Sequence, residues 1–505
     1  MSNVNDVRKK VNQQMNGGLT VVLFGASGDL AKKKTFPALF RLFKNKLLPT
    51  STVIIGYARS KLDHDGFVQR ITENLSKEED KKTVDDFVKI CSYVSGQYDQ
   101  DESFQHLQQV IGQSEDKRGM KQGQKNRIFY MALPPSVFLD VAKGCRRNVI
   151  SPDDKSVNRV VIEKPFGKDL ESCNELLSNL RVLFTENDTY RIDHYLGKEM
   201  VKNIIPYRFS NAFIHPLWNN IHIDSVQITL KEHFGTEGRG GYFDEFGIIR
   251  DVIQNHLLQT MSLVAMERPI GRGAEAIRDE KVKVLRCVKP IKIEDTLIGQ
   301  YVANGDKPGY LDDDTVPKGS LCPTFAAMVL WIDNDRWDGV PFILKAGKAL
   351  DKSKVEIRVQ YKKVPGSLYG GVHRNETVMR IQPSEAIYTK FNNKSPGLTD
   401  HTMVTEMNLT YKDRFENLQI PDAYESLILD VMRSDHSNFV RDDELDAAWR
   451  IFTPVLHQLE NEKIKPYPYK YGTRGPDKES EFVKKYGIEQ LMTGYTWPKQ
   501  DVEQQ

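Results

Sequence analysis

A chain of 505 residues is longer than one hydrophobic core usually serves, so two or three domains are expected. With 39% hydrophobic and 28% charged residues it has the composition of a globular protein, and a net charge of only +2 argues against a nucleic-acid coat. No apolar run approaches the roughly eighteen residues of a membrane span, so neither nucleic acid nor membrane is an expected partner.

The five cysteines (Cys91, Cys145, Cys173, Cys287, Cys322) are scattered, odd in number and form no CxxC. That pattern fits reduced thiols in a cytoplasmic protein, without a disulfide framework, zinc cluster or other metal site. Residues 1–17 are polar and lack an apolar signal core, so they are expected to be a mobile leader.

From there the chain alternates. Leu19–Phe24 is a short β-branched apolar run, as in a strand buried on both faces, and it stops at Gly25-Ala26-Ser27-Gly28-Asp29-Leu30-Ala31. A helix should follow over 30–43, with Leu39, Leu42 and Phe43 inward, and Val53–Tyr57 closes a βαβ unit. Residues 60–126 read as amphipathic helices with charged loops. Strands are expected again at 127–133 and 159–162, with helices over 136–147 and 169–184. Strands alternating with helices predict an α/β, Rossmann-like doubly wound parallel sheet over residues 18–200, with ligands at the carboxyl ends of its strands.

Beyond that point the texture changes. Ser225–Lys231, Val355–Tyr361, Val378–Gln382 and the stretch near 407–411 alternate with period two, and a long helix is expected over 242–266. Residues 201–505 are therefore expected to form an α+β domain with a large, mainly antiparallel sheet, ending in an ordered arm over 465–505.

Five features carry chemistry. The Gly25–Gly28 turn between a buried strand and a helix lets backbone N–H groups approach a pyrophosphate at the helix start. After the second strand stands Arg59 with no acid until Asp63, which favours NADP over NAD. Lys164, in Glu163-Lys164-Pro165-Phe166-Gly167, leaves the fourth strand toward the ligand, and the Lys164–Pro165 bond is open to being cis. The run Arg191-Ile192-Asp193-His194-Tyr195-Leu196-Gly197-Lys198-Glu199 is the densest in ionisable groups and falls at the joint of the two domains. On the 242–266 helix, His256 borders an apolar stripe of Phe246, Ile249, Ile253 and Leu257. Asp251 lies about 140° away at 100° per residue, so His256 needs its carboxylate from elsewhere, with Asp193 the leading candidate. Oxidation of a hydroxyl needs a base for its proton, and a histidine whose tautomer a carboxylate fixes supplies one. His194, Tyr195 and Lys198 are then free to hold a phosphate. Both groups serve one pocket only if the chain leaves strand geometry between Asp193 and His194.

Taken with Gly25–Lys32, Glu163–Gly167, Arg191–Glu199 and Gly235–Asp244, the chain resembles the glucose-6-phosphate dehydrogenase family over about 21–497. The resemblance implies NADP-linked oxidation of glucose 6-phosphate at C1 to 6-phosphogluconolactone, the first oxidative step of the pentose phosphate pathway. It implies His256 as general base with Asp193, and substrate contacts from Lys164, His194, Tyr195, Lys198, Glu232, Asp251, Lys348 and Gln382. It assigns the coenzyme to Gly25, Ala26, Ser27, Gly28, Asp29, Leu30, Ala31, Lys32, Arg59 and Lys164. A second, structural NADP is implied on Lys354, Arg358, Arg380, Lys390, Arg474 and Trp497, although Ser353 stands where Arg is frequent, with Lys352 as a substitute, and Asn408 where Asp is frequent. A homodimer or homotetramer through the second sheet is also implied. The alternatives are a related sugar or inositol dehydrogenase, which would not need the phosphate cluster, and a silent NADP-binding sensor, which would not need a base and its orienter.

Overall fold

The computed structural model describes residues 4–75, 79–369, 372–398, 400–416 and 418–488. Six strands, β1 (Gly18–Phe24), β2 (Ser51–Ala58), β3 (Cys91–Ser95), β4 (Arg127–Met131), β5 (Asn158–Ile162) and β6 (Thr189–Arg191), form one sheet in the order β3-β2-β1-β4-β5-β6. Every pairing is parallel, and helices cover both faces. All seven residues of β1 are buried, which is why its sequence is uninterrupted apolar and β-branched rather than alternating. Strand order reverses between β1 and β4, the point beyond whose carboxyl ends sheets of this kind take their ligands. The third strand falls where only helices are expected. Its residues are mostly half-buried at the sheet edge, so it lacks an apolar run.

Where a mobile leader is expected, Val4–Met15 is a helix with Val11 and Met15 buried against the first sheet's core. Arg8 donates to the Asn45 carbonyl at 2.9 Å and Ser434 to Gln14 at 2.8 Å, fastening both sides of that helix.

Nine strands form the second sheet: β7 (Ile223–Lys231), β8 (Thr296–Val302), β9 (Phe325–Trp331), β10 (Pro341–Gly347), β11 (Lys354–Tyr361), β12 (Glu376–Gln382), β13 (Ala386–Lys394), β14 (Thr402–Thr410) and β15 (Tyr467–Lys470). Their order is β14-β13-β12-β11-β7-β10-β9-β8-β15, antiparallel except for the β7–β10 and β8–β15 pairs. The arm adds β15 at the sheet edge, and its Val483 and Ile488 pack on Val329 and Ile343.

The late part of the chain also packs back on the first sheet. Helix Ala423–Met432 buries Tyr424, Leu427, Ile428 and Val431 against the first sheet's core, and Val440 bridges Arg191 at the free edge of β6.

Candidate active site

The chain leaves β6 at Arg191. Asp193 then caps a short helical turn, His194–Gly197, accepting from the Tyr195 N–H at 3.0 Å. This is the departure from strand geometry that lets Asp193 and His194 serve one place. Gly197 is needed for close approach: a Cβ there would lie 2.6 Å from the Ala423 carbonyl oxygen.

Opposite this turn, the expected 242–266 helix is in two parts. A short helix, Gly240–Asp244, ends before Gly247 (φ 66°), and winding resumes at Ile249. Residues Ile249–Leu257 wind as a π-helix before an ordinary α-helix continues over Leu258–Ala265. Wide turns of this kind recur at functional sites because they re-aim side chains. His256 sits at the end of the widened stretch, and its Nδ1 is 2.5 Å from Oδ1 of Asp193. The Tyr195 ring stacks on the imidazole with centroids 4.4 Å apart, and the His194 ring meets it edge-on at 4.4 Å. Burial is the main influence on His256 and holds its pKa below the ordinary value against the pull of Asp193, so the ring is neutral near pH 7. Burial raises Asp193, but His256, Lys164 and the Tyr195 N–H outweigh it and keep the carboxylate charged. With Nδ1–H given to Asp193, Nε2 is the nitrogen that can take a proton.

Lys164 follows β5 across a cis Lys164–Pro165 bond and donates to both the carbonyl (2.7 Å) and Oδ1 (2.9 Å) of Asp251. Asp251 is therefore the partner of Lys164, not of His256, and its pKa is near 2 because Lys164 and Lys348 overcome its burial. Lys348 donates to Glu232 at 2.6 Å, and Lys198 donates to Gln382 at 2.5 Å while lying 4.9 Å from the Tyr195 ring centroid. Burial lowers the pKa of Lys198, and that of His194 well below the ordinary histidine range.

Of these groups Lys164, His194, Asp251 and Lys348 line a cleft of about 520 Å³, with Leu30 of the glycine loop at one side, whereas Tyr195, Lys198, Glu232 and Gln382 do not form part of its wall. Asp193 and His256 sit behind that wall, 2% and 3% exposed. Sequence reading missed several wall residues. Thr236, Arg239 and Tyr242 come from the Gly235–Asp244 loop, which Asp313 ties by accepting from Thr236, Gly238 and Gly240. Tyr424 arrives from the late helix, and Glu163 accepts from the Tyr130 hydroxyl at 2.6 Å. The Gly235–Asp244 motif was the one signal for the first three; nothing local marked Tyr424.

On the coenzyme side, Gly25 has φ 77°, and a Cβ there would lie 2.1 Å from the Ala132 carbonyl oxygen, so β1 must turn through a glycine. Gly25 and Ala26 donate to the Tyr57 carbonyl, which folds the loop back on β2 and leaves Ser27, Gly28 and Asp29 facing outward. Asp29 pairs with Lys33 and Lys32 with Glu73. Ala31 is buried in the core beneath the loop. The Arg59 guanidinium lies 5.4 Å over the Tyr98 ring. An outward backbone loop beside an arginine with no ion-pair partner among the described residues fits a phosphorylated dinucleotide.

The second nucleotide set is brought together on adjacent strands, with Lys354 and Arg358 on β11, Arg380 on β12 and Lys390 on β13. Lys354, Arg358 and Lys390 already have carboxylate partners. Lys354 and Arg358 pair with Glu356 at 2.6 and 3.1 Å, and Arg358 and Lys390 pair with Glu376. Arg474 is exposed after β15, and Trp497 lies outside the described residues. Ser353 bonds His233, Lys352 is exposed, and Asn408 accepts from Thr410.

Residues 22–203 match the family model "Glucose-6-phosphate dehydrogenase, NAD binding domain" and 205–497 match "Glucose-6-phosphate dehydrogenase, C-terminal domain". Curated relatives named glucose-6-phosphate 1-dehydrogenase are 54% identical in Emericella nidulans, covering 97% of both chains, and 53% identical in Saccharomyces cerevisiae, covering 95% of both. A solved glucose-6-phosphate dehydrogenase in complex with its substrate glucose-6-phosphate matches at TM-score 0.89 and 50% identity over 94% of this chain and 98% of that one. On these matches, which span nearly its full length, the chain belongs to the glucose-6-phosphate dehydrogenase family.

Proposed function

We propose that this chain oxidises glucose 6-phosphate at C1 to 6-phosphogluconolactone, with NADP accepting the hydride. The observation that carries the mechanism is the 2.5 Å Asp193–His256 contact behind a cleft walled by Lys164, His194 and Lys348. His256 takes the C1 hydroxyl proton at Nε2, and Asp193 stabilises the imidazolium that results. Lys198, His194 and Tyr195 hold the phosphate; Lys164, Asp251, Lys348, Glu232 and Gln382 orient the sugar. Bound NADP supplies the hydride acceptor. The Gly25–Lys32 loop and Arg59 hold its phosphates, while Lys164 reaches from sugar to coenzyme.

The same reading divides the chain near residue 200 into a coenzyme half and a substrate half, places it in the cytoplasm and makes it a homo-oligomer. Exposed Met403, Met407 and Leu409 on edge strand β14 support self-association. It also includes a second NADP on the β11–β13 cations, for which Glu356 and Glu376 would have to give up their partners. Counting NADP per chain at saturation tests that part, and one per chain would remove it.

The activity is tested by following NADPH absorbance with glucose 6-phosphate, using glucose and NAD as controls. Equal kcat/KM for phosphorylated and plain glucose would replace this reading with an unspecific sugar dehydrogenase. No turnover with intact NADP binding would leave a sensor.

A further inference from the structure

The glycine loop is braced by a side chain outside every motif in the sequence. Helix His64–Thr72 starts at Asp63, whose carboxylate accepts from the Gly66 N–H, and it is fixed to the sheet by Phe67. The Phe67 ring packs edge-on against Phe36 (5.8 Å) and tilted against Tyr93 (5.3 Å), below Gly56 of β2. Three residues on, Arg70 shares the helix face of Phe67 and so points at the end of β1. Its Nη1 donates to the Ser27 carbonyl.

Around this contact the carboxyl end of β2 gathers hydroxyls and positive charge. Ser27 and Ser60 face each other with Oγ atoms 3.3 Å apart, and Tyr93 donates to the Ser60 carbonyl at 2.5 Å. Arg59 stands beside Ser60, stacked on Tyr98. Among the described residues neither arginine has a carboxylate within ion-pair distance, although Lys32 and Lys33 of the same loop both do. Arg70 at the Ser27 carbonyl and Arg59 next in sequence to Ser60 bring two guanidiniums to the strand end that carries these two hydroxyls, a setting that suits a dianion, and a planar fork of N–H groups fits a phosphate better than a lysine would.

Resting on the NADP reading above, we infer that Arg70 is a second specificity-determining residue, acting with Arg59 on the 2′-phosphate of the coenzyme while one of its nitrogens anchors the Ser27 carbonyl. Arg70 thereby couples the shape of the pyrophosphate loop to recognition of the phosphate that distinguishes NADP from NAD.

The test is equilibrium binding by titration calorimetry, with no turnover involved, on the full-length protein and on Arg70→Gln, Arg70→Lys and Arg59→Ala. Glutamine keeps a donor for the Ser27 carbonyl but removes the charge. Thermal unfolding curves that overlay the parent's establish that the fold is intact. Arg70→Gln should weaken NADP and adenosine 2′,5′-bisphosphate about tenfold while moving NAD and adenosine 5′-monophosphate less than about twofold. Arg70→Lys, which keeps the charge, should retain the preference for NADP within about threefold. Equal loss for the ligands with and without the 2′-phosphate in Arg70→Gln would reduce Arg70 to a loop brace and overturn the inference, as would unchanged NADP affinity. The coenzyme reading fails separately if the parent itself binds NAD as tightly as NADP and Arg59→Ala affects both alike.

Discussion

Oδ1 of Asp193 lies 2.5 Å from Nδ1 of His256, so a residue just past the last strand of the coenzyme sheet holds an imidazole carried by a helix of the other half. The base is fixed in tautomer and direction by a contact that spans 63 positions of sequence.

Removal of either member therefore costs turnover more than binding. His256→Ala should lower kcat by on the order of 10² or more, and Asp193→Asn should follow it, with NADP affinity nearly unchanged in both. Steady-state kinetics paired with calorimetry check this. Near-normal turnover in His256→Ala would assign the proton to another residue.

The pH profile carries a sign. Only neutral His256 accepts a proton, and burial holds its pKa below 6.5. The acid limb of kcat/KM should thus fall at a pH lower than that of an ordinary histidine. Asp193 is the influence that raises the histidine, so Asp193→Asn should move the limb further toward acid. A shift toward base would contradict the assignment.

For the phosphate, Lys198→Ala should reduce kcat/KM for glucose 6-phosphate about tenfold or more through KM, as expected for loss of a charge-assisted hydrogen bond. Plain glucose is the control because it makes no such bond. An equal loss with glucose would place Lys198 in structural support of the Tyr195 ring.

Glu163 predicts a stability slope. Burial raises its pKa from 4.5 to about 7. Between those values the folded state binds more protons than the unfolded one, so stability from this group falls as pH rises through the window, by up to about 3 kcal/mol. Urea midpoints at pH 5 and 8 should differ less in Glu163→Gln than in the parent, and an unaltered difference would exclude Glu163 as the source.

The fully buried Arg127–Glu115 pair, joined by two 2.9 Å hydrogen bonds, stitches β4 to helix Asp101–Lys117. Glu115→Ala leaves that arginine charged and unpaired in the core and should cost about 3–5 kcal/mol. Replacing both with apolar residues of similar volume should recover much of it, as read by chemical denaturation.

Much of this was legible in the sequence. Strands β1, β2, β4 and β5 announce themselves because burial on both faces demands unbroken β-branched runs. The Asp193–His256 pairing follows from chemistry, since a base needs an orienter and Asp251 faced the wrong way. The separate roles of Glu232, Lys348 and Gln382 came from resemblance alone. What escaped has physical reasons. Strand β3 is a half-buried edge without an apolar run. Strands β9 and β10 are almost wholly buried, so they lack the alternation that betrays β7. The leader helix shows only a sparse stripe through Val11 and Met15. Tyr424 reaches the cleft across more than two hundred positions, a distance no local pattern spans.

The return of Ala423–Met432 and Val440 to the first sheet has a consequence for synthesis. The Arg191–Val440 contact closes a loop of 249 positions. At the roughly 5–20 residues per second of translation, the edge of β6 and its apolar face wait between about ten seconds and a minute for their cover. Through that interval the nascent coenzyme sheet presents an open strand edge, a state in which chaperone capture and strand-edge aggregation compete with completion of the fold.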